Sequence, residues 1–154
     1  FFAEENLLTT TSSESHHRNS INNLTRFINE GFCSIFHINI QCLNNEIDEL
    51  SALILKYNFK IVCITEHWIL NKDPLSMINF NNKYKLISSF CRKQRSHGGV
   101  SIFAHNSLIC RPISLDEESI EMHAEFCGIE ISELNTIVTA LGIDLALQVT
   151  FIIL

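Results

Sequence analysis

In Lys60-Ile61-Val62-Cys63-Ile64-Thr65 an unbroken apolar run of strand length is framed by polar residues. Alternate side chains of a strand point to opposite faces of its sheet, so a strand apolar throughout must be covered on both sides. Upstream, Ser34-Ile35-Phe36-His37-Ile38-Asn39-Ile40 is short, β-branched and aromatic, which predicts a second strand. Between the two, Asn44-Asn45 offers an N-cap, and Glu46, Asp48 and Glu49 occupy the first turn, where carboxylates favour the helix dipole. Ile47, Leu50, Leu53, Ile54 and Tyr57 recur at helical spacing and predict a buried stripe. Strand, helix and buried strand within about 32 residues make a βαβ unit, whose strands are parallel neighbours.

The second half changes character. Tyr84 to Ser88 and Gly99 to Ala104 are strand candidates joined by Arg92-Lys93-Gln94-Arg95-Ser96-His97-Gly98, and Leu108 to Ile113, Phe126 to Ile131 and Thr136 to Ala140 follow. Short strands at close spacing predict an antiparallel run. The expected fold class is therefore α/β in the layered α+β sense, a helix on a mixed sheet. Three regions are expected: a flexible polar leader over 1–31, a domain over 32–141, and an apolar tail over 142–154.

A chain of 154 residues fits one domain. With 46% hydrophobic and 18% charged residues it is too apolar to be disordered throughout. The formal net charge of −6 advertises no nucleic-acid binder, although a local basic strip can serve. Six cysteines form no C-x-x-C pair and several lie in apolar runs, so reduced core thiols in an intracellular protein are expected; nucleus and cytoplasm are not distinguished. No charged segment precedes an apolar stretch with a cleavage site, and Asp144 and Gln148 interrupt the apolar tail, so neither a signal peptide nor a membrane span is expected. His16-His17, in a polar tract, reads as solvated surface.

Ligands of sheets with parallel strands collect at the carboxyl ends of those strands. Asn39 closes the first strand and Glu66 follows the second directly. A carboxylate there is well placed to hold a hard cation such as Mg²⁺, which takes one or two protein carboxylates and keeps several waters. The plain alternative is that Glu66 is the first solvated residue after a buried strand. From periodicity alone both readings stand.

The wording of these segments adds to that. His37-Ile38-Asn39-Ile40-Gln41-Cys42-Leu43, then Ile61-Val62-Cys63-Ile64-Thr65-Glu66-His67-Trp68, then Tyr84-Lys85-Leu86, Arg92-Lys93-Gln94-Arg95 and His97-Gly98-Gly99-Val100-Ser101-Ile102-Phe103 stand in one order. That series resembles the opening of the endonuclease/exonuclease/phosphatase superfamily. In particular it resembles the endonuclease domain of non-LTR (LINE-like) retrotransposon polyproteins, over roughly residues 34 to 140. The resemblance implies a partial sandwich of that superfamily, Mg²⁺ or Mn²⁺ as cofactor, and DNA as partner and substrate. It makes Glu66 the metal-binding glutamate and Asn39 the asparagine that organises metal and phosphate. Gln41 falls where some relatives have a metal-linked aspartate. His67 and Trp68 are expected to support the site by packing. Arg92, Lys93 and Arg95, beside Lys83 and Lys85, read equally as contacts to a DNA backbone or as a solvated hairpin loop.

The family's Gly-Asp-x-Asn and Ser-Asp-His segments do not occur, and His105, His123 and Asp116 stand in no matching motif. The expectation is a domain incomplete at its C-terminus, with little or no turnover alone. Leu141-Gly142-Ile143-Asp144-Leu145 stands where relatives have Tyr-Arg-Pro-Pro, which fits a reading frame slipped from about residue 142. Two other readings compete. One is a phosphatase or sphingomyelinase-type phosphodiesterase of the same superfamily. The other is a non-catalytic binding or interaction module, self-associating through exposed sheet edges.

Overall fold

The computed structural model describes residues 33–93, 97–134 and 136–143. The expected leader, with His16-His17, and residues 144–154 of the expected tail lie outside the described residues.

The βαβ unit opens the described chain. Strand β1 (Ile35–Asn39) leads into helix α1 (Leu43–Tyr57) and returns as β2 (Ile61–Thr65). β1 and β2 are parallel and in register, from Ile35 opposite Ile61 to Asn39 opposite Thr65. After a short helix, α2 (Lys72–Ser76), β3 (Tyr84–Phe90) and β4 (Val100–His105) complete a four-stranded mixed sheet in the order β1-β2-β4-β3. β4 runs antiparallel to both β2 and β3. β5 (Cys110–Ile113), β6 (Ala124–Ile131) and β7 (Thr136–Ile143) form a second sheet, antiparallel throughout. The fold is thus a mixed α+β arrangement of two sheets with few helices.

Alternation explains how the layers meet. Ile61, Cys63, Val100, Ile102 and Ala104 of the first sheet share one core with Cys127, Ile129, Ile131, Val138 and Ala140 of the second. Val62, Ile64 and Phe103 point to the opposite face, and they too are fully buried. The βαβ crossover lays α1 on that face with Leu43, Leu50 and Ile54 buried. β2 is the strand covered on both sides, which is why all five of its residues are buried. Within the expected helical stripe Leu50 and Ile54 are buried, Ile47 and Tyr57 half-buried, and Leu53 exposed.

The start of α1 departs from the expected Asn44-Asn45 cap. The helix begins at Leu43, and the residue before it, Cys42, is left-handed at φ 92° with no side-chain cap. The N–H groups of Cys42 and Leu43 instead donate to the carbonyls of Glu66 and His67, at 3.0 and 3.1 Å. Tertiary pairing with the segment after β2 does the work of a cap. Cys33, Cys42, Cys63, Cys91 and Cys127 are free thiols, and burial raises the Cys63 thiol to about 12. No helix among the described residues is long and apolar enough to cross a membrane.

Candidate metal and phosphate site at the ends of β1 and β2

β1 and β2 end side by side, so Asn39 stands opposite Thr65 and Glu66 is the next residue along. The parallel pairing runs one step further, as Ile40 N–H donates to the Thr65 carbonyl at 3.1 Å. There the chain turns. Glu66 and Trp68 both have φ 58°, a conformation costly for residues with a Cβ and held by the contacts around them.

Those contacts can be traced atom by atom. Trp68 Nε1–H donates to Glu66 Oε2 at 2.9 Å, fixing one carboxylate oxygen, and the Trp68 backbone N–H donates to the Gly98 carbonyl at 2.9 Å. The Trp68 and His97 rings meet edge to face at 4.4 Å. His67, between Glu66 and Trp68, is fully buried. Its Nδ1 accepts the Ile69 N–H at 3.0 Å, so Nε2 carries the proton and donates to the Phe90 carbonyl at 3.2 Å. Burial lowers its pKa to about 4, so the ring is neutral and both nitrogens are occupied.

Asn39 is half-buried, and its Oδ1 is a buried acceptor with no hydrogen-bond partner. An unpartnered buried amide oxygen costs free energy unless a donor or cation fills the position. His37, two residues earlier on the same face, places Nε2 3.2 Å from Thr65 Oγ1, and burial lowers its pKa to about 4. Gln41 is exposed, with φ 47°. Between the end of β1 and α1, Ile38, Asn39, Ile40, Glu46, Glu49, Leu50 and Leu53 line a groove of about 290 Å³.

The donors at the strand ends are one carboxylate and one amide oxygen, both hard. They fit a cation that keeps most of its water, such as Mg²⁺, and not the sulfur and nitrogen cage of a structural zinc. Among the described residues no three His, Cys, Asp or Glu side chains converge to hold a metal. His105, His123 and Asp116 do not join the site: His105 Nδ1 contacts Ser107 Oγ at 2.8 Å, and His123 and Asp116 are exposed.

The expected basic strip is corrected at its first member. Arg92 is not on the surface but only 5% exposed, because its Nε is ion-paired with Glu125. Lys93 is exposed, as are Lys83 and Lys85, and the Lys93 N–H donates to Glu121 Oε1 at 2.6 Å. Arg95 lies outside the described residues.

Glu125 went unread in the sequence, although a signal for it existed. It stands in phase with Cys127, Ile129 and Ile131, the inward-facing residues of β6, so alternation alone puts its carboxylate inside.

No protein-family model matches the chain, and no curated protein matches it. Among solved structures it is similar to an AP endonuclease from Archaeoglobus fulgidus, with TM-score 0.47 and 14% identity over 66% of this chain. The match spans 38% of that protein's length.

Proposed function

We propose that this chain is part of a metal-dependent phosphodiesterase domain of the endonuclease/exonuclease/phosphatase superfamily, of the kind found in LINE-like retrotransposon polyproteins, with DNA as its substrate. The observation that carries the reading is the pairing of Asn39 with Thr65, the residue before Glu66, at the ends of two parallel strands, with Asn39 Oδ1 buried and unpartnered. The ordered motif series in the sequence supports the same reading. Glu66 is the anionic ligand, oriented by the Trp68 indole, and Asn39 meets either the cation or a phosphate oxygen. Mg²⁺ or Mn²⁺ held there would polarise the phosphodiester and stabilise charge on the leaving oxygen.

The same residues supply no general base. His67 has both ring nitrogens occupied, and His37 is engaged with Thr65. The proposed behaviour of this chain by itself is therefore cation binding with turnover at or near background. Trp68 is the chain's one tryptophan, so its indole N–H resonance reports on Glu66 directly. Mg²⁺ is expected to shift that resonance in the unaltered protein and not in Glu66→Ala, while supercoiled plasmid is nicked barely above the blank. A resonance indifferent to Mg²⁺, or equally responsive in Glu66→Ala, would remove the basis of the reading.

One observation favours a second reading, an interaction module. β1 ends the strand order of its sheet, and among the described residues nothing pairs with its outer edge. Sedimentation that shows self-association, together with an indole blind to Mg²⁺, would favour this alternative.

A further inference from the structure

Arg92 and Glu125 are two opposite charges taken almost fully out of water, at 5% and 2% exposure. A buried ion pair adds little net stability over an apolar pair of the same size, so its presence asks for another reason. The geometry supplies one. Glu125 Oε1 accepts from Arg92 Nε, and Oε2 accepts the Gly99 N–H at 2.6 Å. Gly98 sits directly on the guanidinium, for a Cβ there would lie 2.1 Å from Arg92 Cζ. The pair thus holds the Gly98-Gly99 corner, whose φ values are 111° and 88°. The carbonyl of Gly98 receives the Trp68 N–H at 2.9 Å, and the Trp68 indole N–H reaches Glu66 Oε2 at 2.9 Å.

We infer that Glu125 is a positioning residue for Glu66, acting through the Gly99 N–H, the Gly98 carbonyl and Trp68. The inference rests on the reading of Glu66 as cation ligand. A carboxylate on the second sheet sets the posture of the carboxylate at the end of β2, and its other oxygen is ion-paired with Arg92. A simple tie between β6 and the β3–β4 connection would need the ion pair but not the bond to Gly99, and this difference is measurable.

Single substitutions at either residue strand a buried charge, so two double variants are compared. R92M/E125Q removes the charges and leaves a side-chain carbonyl for the Gly99 N–H. R92M/E125M removes the acceptor as well. The indole resonance of Trp68 is expected at its normal position in R92M/E125Q and displaced in R92M/E125M. Half-saturation by Mg²⁺ should stay within about twofold in the first and rise about tenfold or more in the second. Two variants that behave alike would overturn the inference, as would a displaced indole with unchanged Mg²⁺ affinity.

If the unaltered protein gives no Mg²⁺ response that Glu66→Gln abolishes, the reading of Glu66 falls. The indole comparison between the two doubles still decides the positioning. Hydrogen exchange on the unaltered chain keeps the test open even where a double variant fails to fold. The Gly99 amide and the Trp68 indole should open as one unit, and independent opening rates would contradict the linkage.

Discussion

The His67 imidazole packs directly on Gly99: a Cβ built on this glycine would lie 2.3 Å from Cε1 and 2.5 Å from Nε2. The ring cannot retreat without giving up its bonds to Ile69 N–H and the Phe90 carbonyl. Gly99 also has φ 88°, where a side chain is strained whatever the space around it. Gly99→Ala is therefore expected to destabilise the fold by roughly 3 kcal/mol or more, read from urea unfolding. A loss below about 1 kcal/mol would show that the ring swings away freely, against the contacts described.

Arg92 and Lys93 are adjacent and should behave oppositely. Arg92→Ala leaves the Glu125 carboxylate buried without its partner and is expected to cost about 3–5 kcal/mol of stability. Lys93→Ala should leave stability within about 0.5 kcal/mol. On the proposed DNA-binding reading, it should also weaken binding to non-specific duplex and reduce the salt slope by about 1. Thermal melts and fluorescence anisotropy at several salt concentrations separate the two. A stable Arg92→Ala would refute the structural role of the ion pair.

Stability should fall on mild acidification. Burial lowers His37 and His67 from 6.5 to about 4, so the unfolded chain takes up these protons before the folded one does. Their contribution is complete above pH 6.5 and is lost progressively as pH falls toward 4. For His67 alone the loss between pH 7 and pH 5 is on the order of 2 kcal/mol. Urea unfolding between about pH 7 and pH 5 measures it, and ¹⁵N spectra should show His67 protonated on Nε2 throughout. A stability flat across that interval would contradict the burial of both rings.

Much of the βαβ unit was legible because its signals are local. Ile61 to Ile64 leave no polar face, which forces cover on both sides, and the sheet core and α1 provide it. Asn39 and Glu66 were legible as neighbours because the ends of adjacent parallel strands meet. The rest depended on partners distant in sequence. Arg92 sits among Lys93, Gln94 and Arg95 and reads as solvated, and its ion pair with Glu125, from the other sheet, makes burial tolerable. The start of α1 was misplaced because Cys42 and Leu43 find their acceptors on Glu66 and His67 rather than on an asparagine side chain. The short α2 was not foreseen, although Asn71, Asp73 and Pro74 are ordinary helix-start residues. β6 begins at Ala124, two residues before the expected Phe126, because Glu125 is drawn inward as part of the strand.

The bond from Gly99 to Glu125 also bears on how this protein can be dissected. β1, α1 and β2 carry Asn39 and Glu66 in one compact stretch, and they look like a self-sufficient module. The carboxylate that braces the Gly98-Gly99 corner, however, belongs to β6. A shortened version ending before β6 would retain both strand-end residues, yet leave the Gly99 amide and the Arg92 guanidinium without the carboxylate that joins them. The smallest piece worth expressing for work on the strand ends is therefore one that carries β6, however far that strand lies from them in the chain.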